Sequence, residues 1–192
     1  MSYPQFCFHF DRSLQAAAYL LKRAPSKELE YIHLLKMLYI ADREYLAERG
    51  YPITGDRVVA MQYGPVLSCI LSLIKRDAAQ EEQEEQWHRF IQTTPEEYKV
   101  RLISDPGDGD LSRASLAKLD QVFERYGQLK PFQVVQLTHE FTEWQKNYCG
   151  FSAPGIPWWD ILAAQSACTM SPLVEDQIKL QHHQAGIQKV CQ

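Results

Sequence analysis

Between residues 27 and 49 the spacing predicts a helix that is apolar on more than one side. Leu29, Leu34, Met37, Leu38, Ile40 and Tyr45 point in several directions at 3.6 residues per turn, whereas a surface helix gathers its apolar residues into one stripe. Such a helix has to be surrounded, so the rest of the chain must supply elements on several sides of it. Gly50 closes it. Its charged residues Lys36, Asp42 and Arg43 then fall close to the core, where an ionised group is costly unless partnered. Asp42, or Asp56 in the turn that follows, is therefore expected to meet Arg43, Arg57 or Lys36 as a clamp between the helix and the next strand.

The other elements follow from caps and periodicity. Asp11 or Ser13 can cap a first helix that Pro25 and Ser26 close. After the long helix, Thr54-Gly55-Asp56 makes a turn, residues 57–62 read as a strand, and Gly64-Pro65 opens a short amphipathic helix carrying Val66, Ile70, Leu73 and Ile74. The polar run QEEQEEQ at residues 80–86 reads as a solvated helix end or loop. Residues 87–103 read as a hairpin around TTPEE, because Tyr98, Val100 and Leu102 alternate with Lys99 and Arg101. With residues 57–62 this makes a small antiparallel sheet of about three strands. Leu116, Leu119, Phe123 and Tyr126 mark a helix ending at Gly127, and Pro131 starts another that runs to Trp144. Residues 150–160 are an irregular linker in which Asp160 caps a short helix. The expected fold class is α+β, predominantly α-helical, with one domain over residues 1–170 and a tail, weakly helical in pattern, over residues 171–192.

Composition narrows the function. Among 192 residues the formal net charge is −4, which supplies no basic footprint for a phosphate backbone, so direct binding of nucleic acid is not expected. No apolar run reaches the length of a membrane span, and the N-terminus lacks a basic region leading into an apolar one. Membrane association is not expected, and a cytoplasmic location is. Five scattered cysteines without a C-x-x-C pair fit free thiols in a reducing compartment. His139-Glu140 opens like a zinc-protease motif, but Glu143 stands where the second histidine would be needed. His182 and His183 are adjacent and would point apart on a helix. Cys69 sits among apolar residues, and no phosphate-binding glycine loop is present. The expectation is therefore no catalytic residues, no cofactor and no metal.

The run LLKMLYIADREYLAERGYPITGDRVVAMQYGPV at residues 34–66 resembles the signature of the Panacea domain, a phage-associated family of SocA-like antitoxins. Its elements are Lys36, Tyr39, Asp42, Gly55, Asp56, Tyr63, Gly64 and Pro65. Residues 119–144, with Tyr126-Gly127, His139 and Trp144, are similar to the second half of the family, so the resemblance spans about residues 10–165. Membership would imply an antitoxin of a bacterial or phage toxin–antitoxin system. Such a protein neutralises a protein toxin by direct contact and is not known for catalysis.

On that basis the motif residues are expected to be scaffold. Trp87, Tyr98, Trp144, Trp158 and Trp159 are the candidate partner-binding residues, since aromatic anchors dominate protein interfaces. An alternative is a proteolytic adaptor that delivers the bound toxin to a protease, with the tail as the second contact. A remoter one is a cryptic enzyme using Lys36, Asp42 or His139. Self-association into a homo-oligomer is left open.

Overall fold

The computed structural model describes residues 6–94, 97–150 and 152–169. Expectations placed on residues 171–192, the tail helix and His182 and His183 among them, lie outside these. Helix α1 (Phe10–Arg23) presents Leu14, Leu20 and Leu21 inward, and the small side chains of Ala16, Ala17 and Ala18 let neighbouring elements approach closely. Its N-cap is His9, not Asp11 or Ser13; the Ser13 hydroxyl donates back to the His9 carbonyl at 2.8 Å. Pro25 ends the helix, because the residue before a proline is driven out of the helical region.

A 3-10 turn over Pro25–Lys27 follows, with Ser26 and Lys27 at φ 57° and 54°. These left-handed residues redirect the chain into strand β1 (Glu28–Glu30), so the long helix α2 begins at Tyr31 rather than at residue 27 and runs to Arg49. Gly50 closes α2 at φ 80°, its N–H bonded to the Leu46 carbonyl. The expectation of a surrounded helix holds: α2 is buried along most of its length and packs against α1, β1 and several elements that follow it in the chain.

Strand β2 (Val58–Met61) does not join the expected sheet. It pairs antiparallel with β3 (Gly64–Leu67), the stretch expected to open a helix, through the two-residue connection Gln62-Tyr63. The sequence reading placed Pro65 in the first turn of a helix, where its missing N–H would have had no intrahelical partner. The register of the strand pair accommodates that missing N–H equally well. Ala60 faces Pro65, and the Ala60 N–H turns away from β3 to the Pro154 carbonyl at 2.8 Å. Ala60 and Pro65 are thus a non-hydrogen-bonded rung, where a missing N–H takes nothing from the ladder. The outer edge of β2 is covered by residues 154–156, with Val59 bridged to Gly155 and the Ile156 N–H on the Val58 carbonyl.

Helix α3 (Ser68–Lys75) then leads to α4 (Glu81–Phe90). The acidic run is therefore helical and extends through Trp87, which had been expected in a strand. Glu81, Glu82 and Glu84 favour the positive end of its dipole, and Trp87 is the one residue that anchors it in the core. Strands β4 (Ile91–Thr94) and β5 (Lys99–Leu102) form the expected hairpin, shortened at its first strand. Their sheet has the order β1-β5-β4, so its third strand is β1, with Leu29 opposite Val100.

Helix α5 (Arg113–Tyr126) is capped by Ser112, whose hydroxyl accepts the Ser115 N–H at 3.0 Å. The helix from Pro131 does not continue to Trp144. It breaks into α6 (Pro131–His139) and α7 (Thr142–Asn147), with extended backbone at Phe141 between them. The break lets Phe141 pack on Tyr39 and turns Glu143 into the core. Helix α8 (Trp158–Thr169) closes the described chain, and Asp160 in its first turn pairs with Lys146 at 2.7 Å. The class is α+β, mostly helical, as expected.

Candidate partner-binding face

Three polar side chains of the core fix the β2–β3 hairpin. Asp42, on α2 and fully buried, accepts the backbone N–H groups of Ile53 (2.8 Å) and Thr54 (2.9 Å) and the Thr54 hydroxyl. Asp56 accepts the N–H groups of Cys69 and Ile70, both at 2.9 Å, and so caps α3 from a distance of thirteen residues in sequence. Lys36, also fully buried, donates to the Pro65 carbonyl at 2.6 Å. That carbonyl faces away from the ladder at the same non-hydrogen-bonded rung, and the ammonium satisfies it. The clamp expected from the sequence is present, but its chemistry differs. The carboxylates are met by backbone amides and a hydroxyl, not by Arg43, Arg57 or Lys36.

Burial governs the titration of these groups. It pushes Lys36 down to about 7 and Asp42 up to about 7, the latter against its own hydrogen bonds and with the help of Asp56. Asp56 is raised for the same reason, against the amides it caps.

Gly64 lies where no side chain fits. At φ +92° it takes the left-handed conformation that the reversal needs, and a Cβ there would stand 2.5 Å from Thr138 Oγ1 and 3.1 Å from Lys36 Nζ. Gly55 is held likewise, at φ +66°, with the Cys7 carbonyl 2.2 Å from where its Cβ would be. Beside the hairpin, His139 stacks on Trp144 (4.3 Å between centroids), Trp144 stacks on Tyr148 (4.8 Å), and Trp144 Nε1 donates to the Met61 carbonyl at 2.9 Å. Burial, and then the nearby Lys36, hold the His139 imidazole below its usual range.

A second buried constellation went unrecognised in the sequence. Arg43 meets Glu143 at 2.6 Å, the Tyr39 hydroxyl donates to the same carboxylate at 2.7 Å, and the guanidinium lies 4.1 Å from the Phe141 ring. Tyr39 is raised well above the usual tyrosine range, by burial first and by the Glu143 charge second. A separation of one hundred residues between Arg43 and Glu143 leaves no local signal for the pair.

Held on this frame, the hairpin tip turns Tyr63 outward. Its ring meets Phe132, at the start of α6, edge to face at 6.0 Å. Beside them Tyr31, at the start of α2, lies 6.1 Å from Tyr98 of the β4–β5 hairpin. These four rings, with Ile32, Glu30 and Glu97, line a groove of about 550 Å³. Tyr63, Tyr98 and Phe132 are 49%, 64% and 58% exposed, the most accessible aromatic groups of the described residues. Tyr98 sits at φ 55°, a conformation a bulky residue rarely takes. A further groove of about 350 Å³ is lined by Phe8, Arg57, Cys69 and Gln80 among others. Burial pushes the Cys69 thiol there up to about 11, which leaves it protonated and a poor nucleophile. Neither groove is lined by Lys36, Asp42 or His139. Among the described residues no cluster of His, Cys, Asp and Glu has the make-up of a metal site, and no helix is long and apolar enough to cross a membrane.

The candidate contact residues from the sequence are dispersed. Trp87 is wholly enclosed and Trp158 nearly so, against Phe6, so neither offers a surface to a partner. Trp144 is half-buried against the hairpin, Trp159 is exposed on α8, and Tyr98 lies in the groove. Tyr31, Phe132, Glu30 and Glu97, which line the same groove, were not among the candidates, and Tyr63 was placed in the scaffold.

Fold and face together define a mostly helical α+β domain that holds a two-stranded hairpin rigid from beneath and displays aromatic side chains around its tip. Over residues 34–145 the chain matches the SocA-like antitoxin Panacea domain, and it belongs to that family. The matched stretch is shorter than the span of the resemblance, and holds the hairpin, its clamps, Tyr98 and Phe132, while Glu30 and Tyr31 lie just outside it. Membership implies an antitoxin-type role with a partner such as a toxin. No curated protein and no solved structure matches the chain.

Proposed function

We propose that this chain neutralises a protein toxin by direct, non-covalent contact, and that the contact is centred on the aromatic face formed by Tyr31, Tyr63, Tyr98 and Phe132. The observation that carries this reading is the exposure of three large aromatic side chains on a frame fixed by buried polar contacts, in a member of an antitoxin family. A pre-ordered aromatic patch loses little conformational entropy on docking, which is why such residues recur as interface anchors. The groove alone is smaller than a stable interface, which buries about 800 Å² on each partner. The contact must therefore extend onto neighbouring surface.

The test is co-expression with the reading frames that flank this one in its genome. A neighbour that arrests growth alone, is tolerated with this chain, and co-elutes with it by size exclusion is the expected result. If each toxic neighbour stays toxic in the presence of the folded chain, the reading fails.

A further inference from the structure

We propose that the aromatic groove is a receptacle for an arginine side chain of the bound protein, a deepening of the toxin-binding reading above. Among the described residues, four aromatic rings and two carboxylates converge there, and no lysine or arginine lines it. Ring faces are electron-rich and attract a cation, and a guanidinium stacks on them while its N–H groups pair with a carboxylate. Glu30 makes no ion pair among the described residues, whereas Glu97 is shared with Lys99 at 3.3 Å. Glu30 is thus the carboxylate available to an incoming cation.

The same fold already solves this recognition problem once, with its own chain. Arg43 lies over the Phe141 ring at 4.1 Å while Glu143 accepts from both its guanidinium and the Tyr39 hydroxyl. The groove offers the same kinds of group, a phenyl ring, tyrosines and a carboxylate, at the surface. Arginine suits it better than lysine, because the ring walls are planar and the guanidinium is planar too, while an ammonium is compact and strongly hydrated. The net charge of −4 favours a partner that is basic where it docks.

The probe is acetyl-arginine amide, titrated into the full isotope-labelled chain and followed by NMR, with acetyl-citrulline amide as its neutral isostere. The expected result is saturable shifts at Tyr31, Tyr98 and Phe132, with a dissociation constant on the order of 100 mM, since one exposed cation–π contact and one ion pair make a weak site. Citrulline should bind at least threefold more weakly. Glu30→Gln and, separately, Phe132→Ala should each weaken arginine binding by about two- to fivefold with the melting temperature retained. Equal response to citrulline, shifts scattered outside the groove, or shifts undiminished in both variants would overturn the assignment. A groove that ignores arginine leaves the co-expression result intact. A chain that rescues no toxic neighbour but binds arginine in the groove loses the toxin reading alone.

Discussion

Lys36 is the residue whose protonation most directly reports on the frame. Burial pushes its amine down to about 7, while in the unfolded chain it titrates near its ordinary 10.5. Between those values the unfolded chain holds a proton that the folded chain has released. Stability rises with pH wherever the unfolded state binds more protons, so Lys36 makes the fold more stable from about pH 7 to pH 10.5. Asp42 acts in the opposite sense. Its ordinary value is 3.8 and burial raises it to about 7, so the folded chain retains a proton that the unfolded one has lost, and stability falls as pH rises through that window. Together they predict a trough of stability near neutral pH. Lys36→Met should remove the alkaline climb, worth about 1.4 kcal/mol for each unit of pKa difference. Urea midpoints at pH 7 and pH 9 for both proteins measure this. A climb of equal size in the variant would assign it to other groups.

Among the elements, the β2–β3 hairpin shows both what the sequence displays and what it conceals. The all-round apolar surface of α2 could be read directly, because periodicity is a local property, and so could the need to partner Asp42 and Asp56. The partners could not. Backbone amides have no letter in a sequence, and the reading looked for Arg43, Arg57 and Lys36 instead. Strand β3 was concealed for a related reason: Gly64-Pro65-Val66-Leu67 is too short to show a period, and its strand state depends on the Ala60–Pro65 rung, whose outward Ala60 N–H goes to the Pro154 carbonyl. Trp87 misled in the same way, since one tryptophan anchoring a polar helix looks like the start of an aromatic strand. The groove assembles residues from four separated stretches of the chain, so only Tyr98 was picked out in advance as a contact candidate. Asp56→Ala removes the acceptor for the first amides of α3 and should destabilise the protein by about 1–2 kcal/mol, toward the upper end for a cap because two buried N–H groups lose a charged partner. Amide exchange should quicken most at Cys69 and Ile70. Uniform loss of protection along the chain would show that the cap serves the global fold and not α3.

Across the molecule, the proposed contact and the stability of the fold fall to different aromatic residues. Trp87 lies in the core, where its large side chain fills space between α4 and its neighbours; Trp87→Ala should cost about 3–5 kcal/mol, which is within the range of an entire domain's stability. Tyr98 and Phe132 are more than half exposed, and their removal leaves no cavity. Asn tolerates the left-handed backbone at position 98, so Tyr98→Asn relieves strain as it removes the ring. The double variant Tyr98→Asn with Phe132→Ser should therefore melt within a few degrees of the parent chain, since exposed substitutions usually stay within about 0.5 kcal/mol. If the groove is where the toxin docks, the same double variant should weaken the complex at least tenfold, the loss expected when two anchor residues contributing about 1 kcal/mol or more each are truncated. Growth rescue and co-elution read the binding side, and a thermal melt reads the fold. Retained rescue with a retained melt would move the contact elsewhere on the surface, toward Trp159 on α8 in the first instance. Lost rescue with a retained melt would separate recognition from folding and place it on the hairpin face.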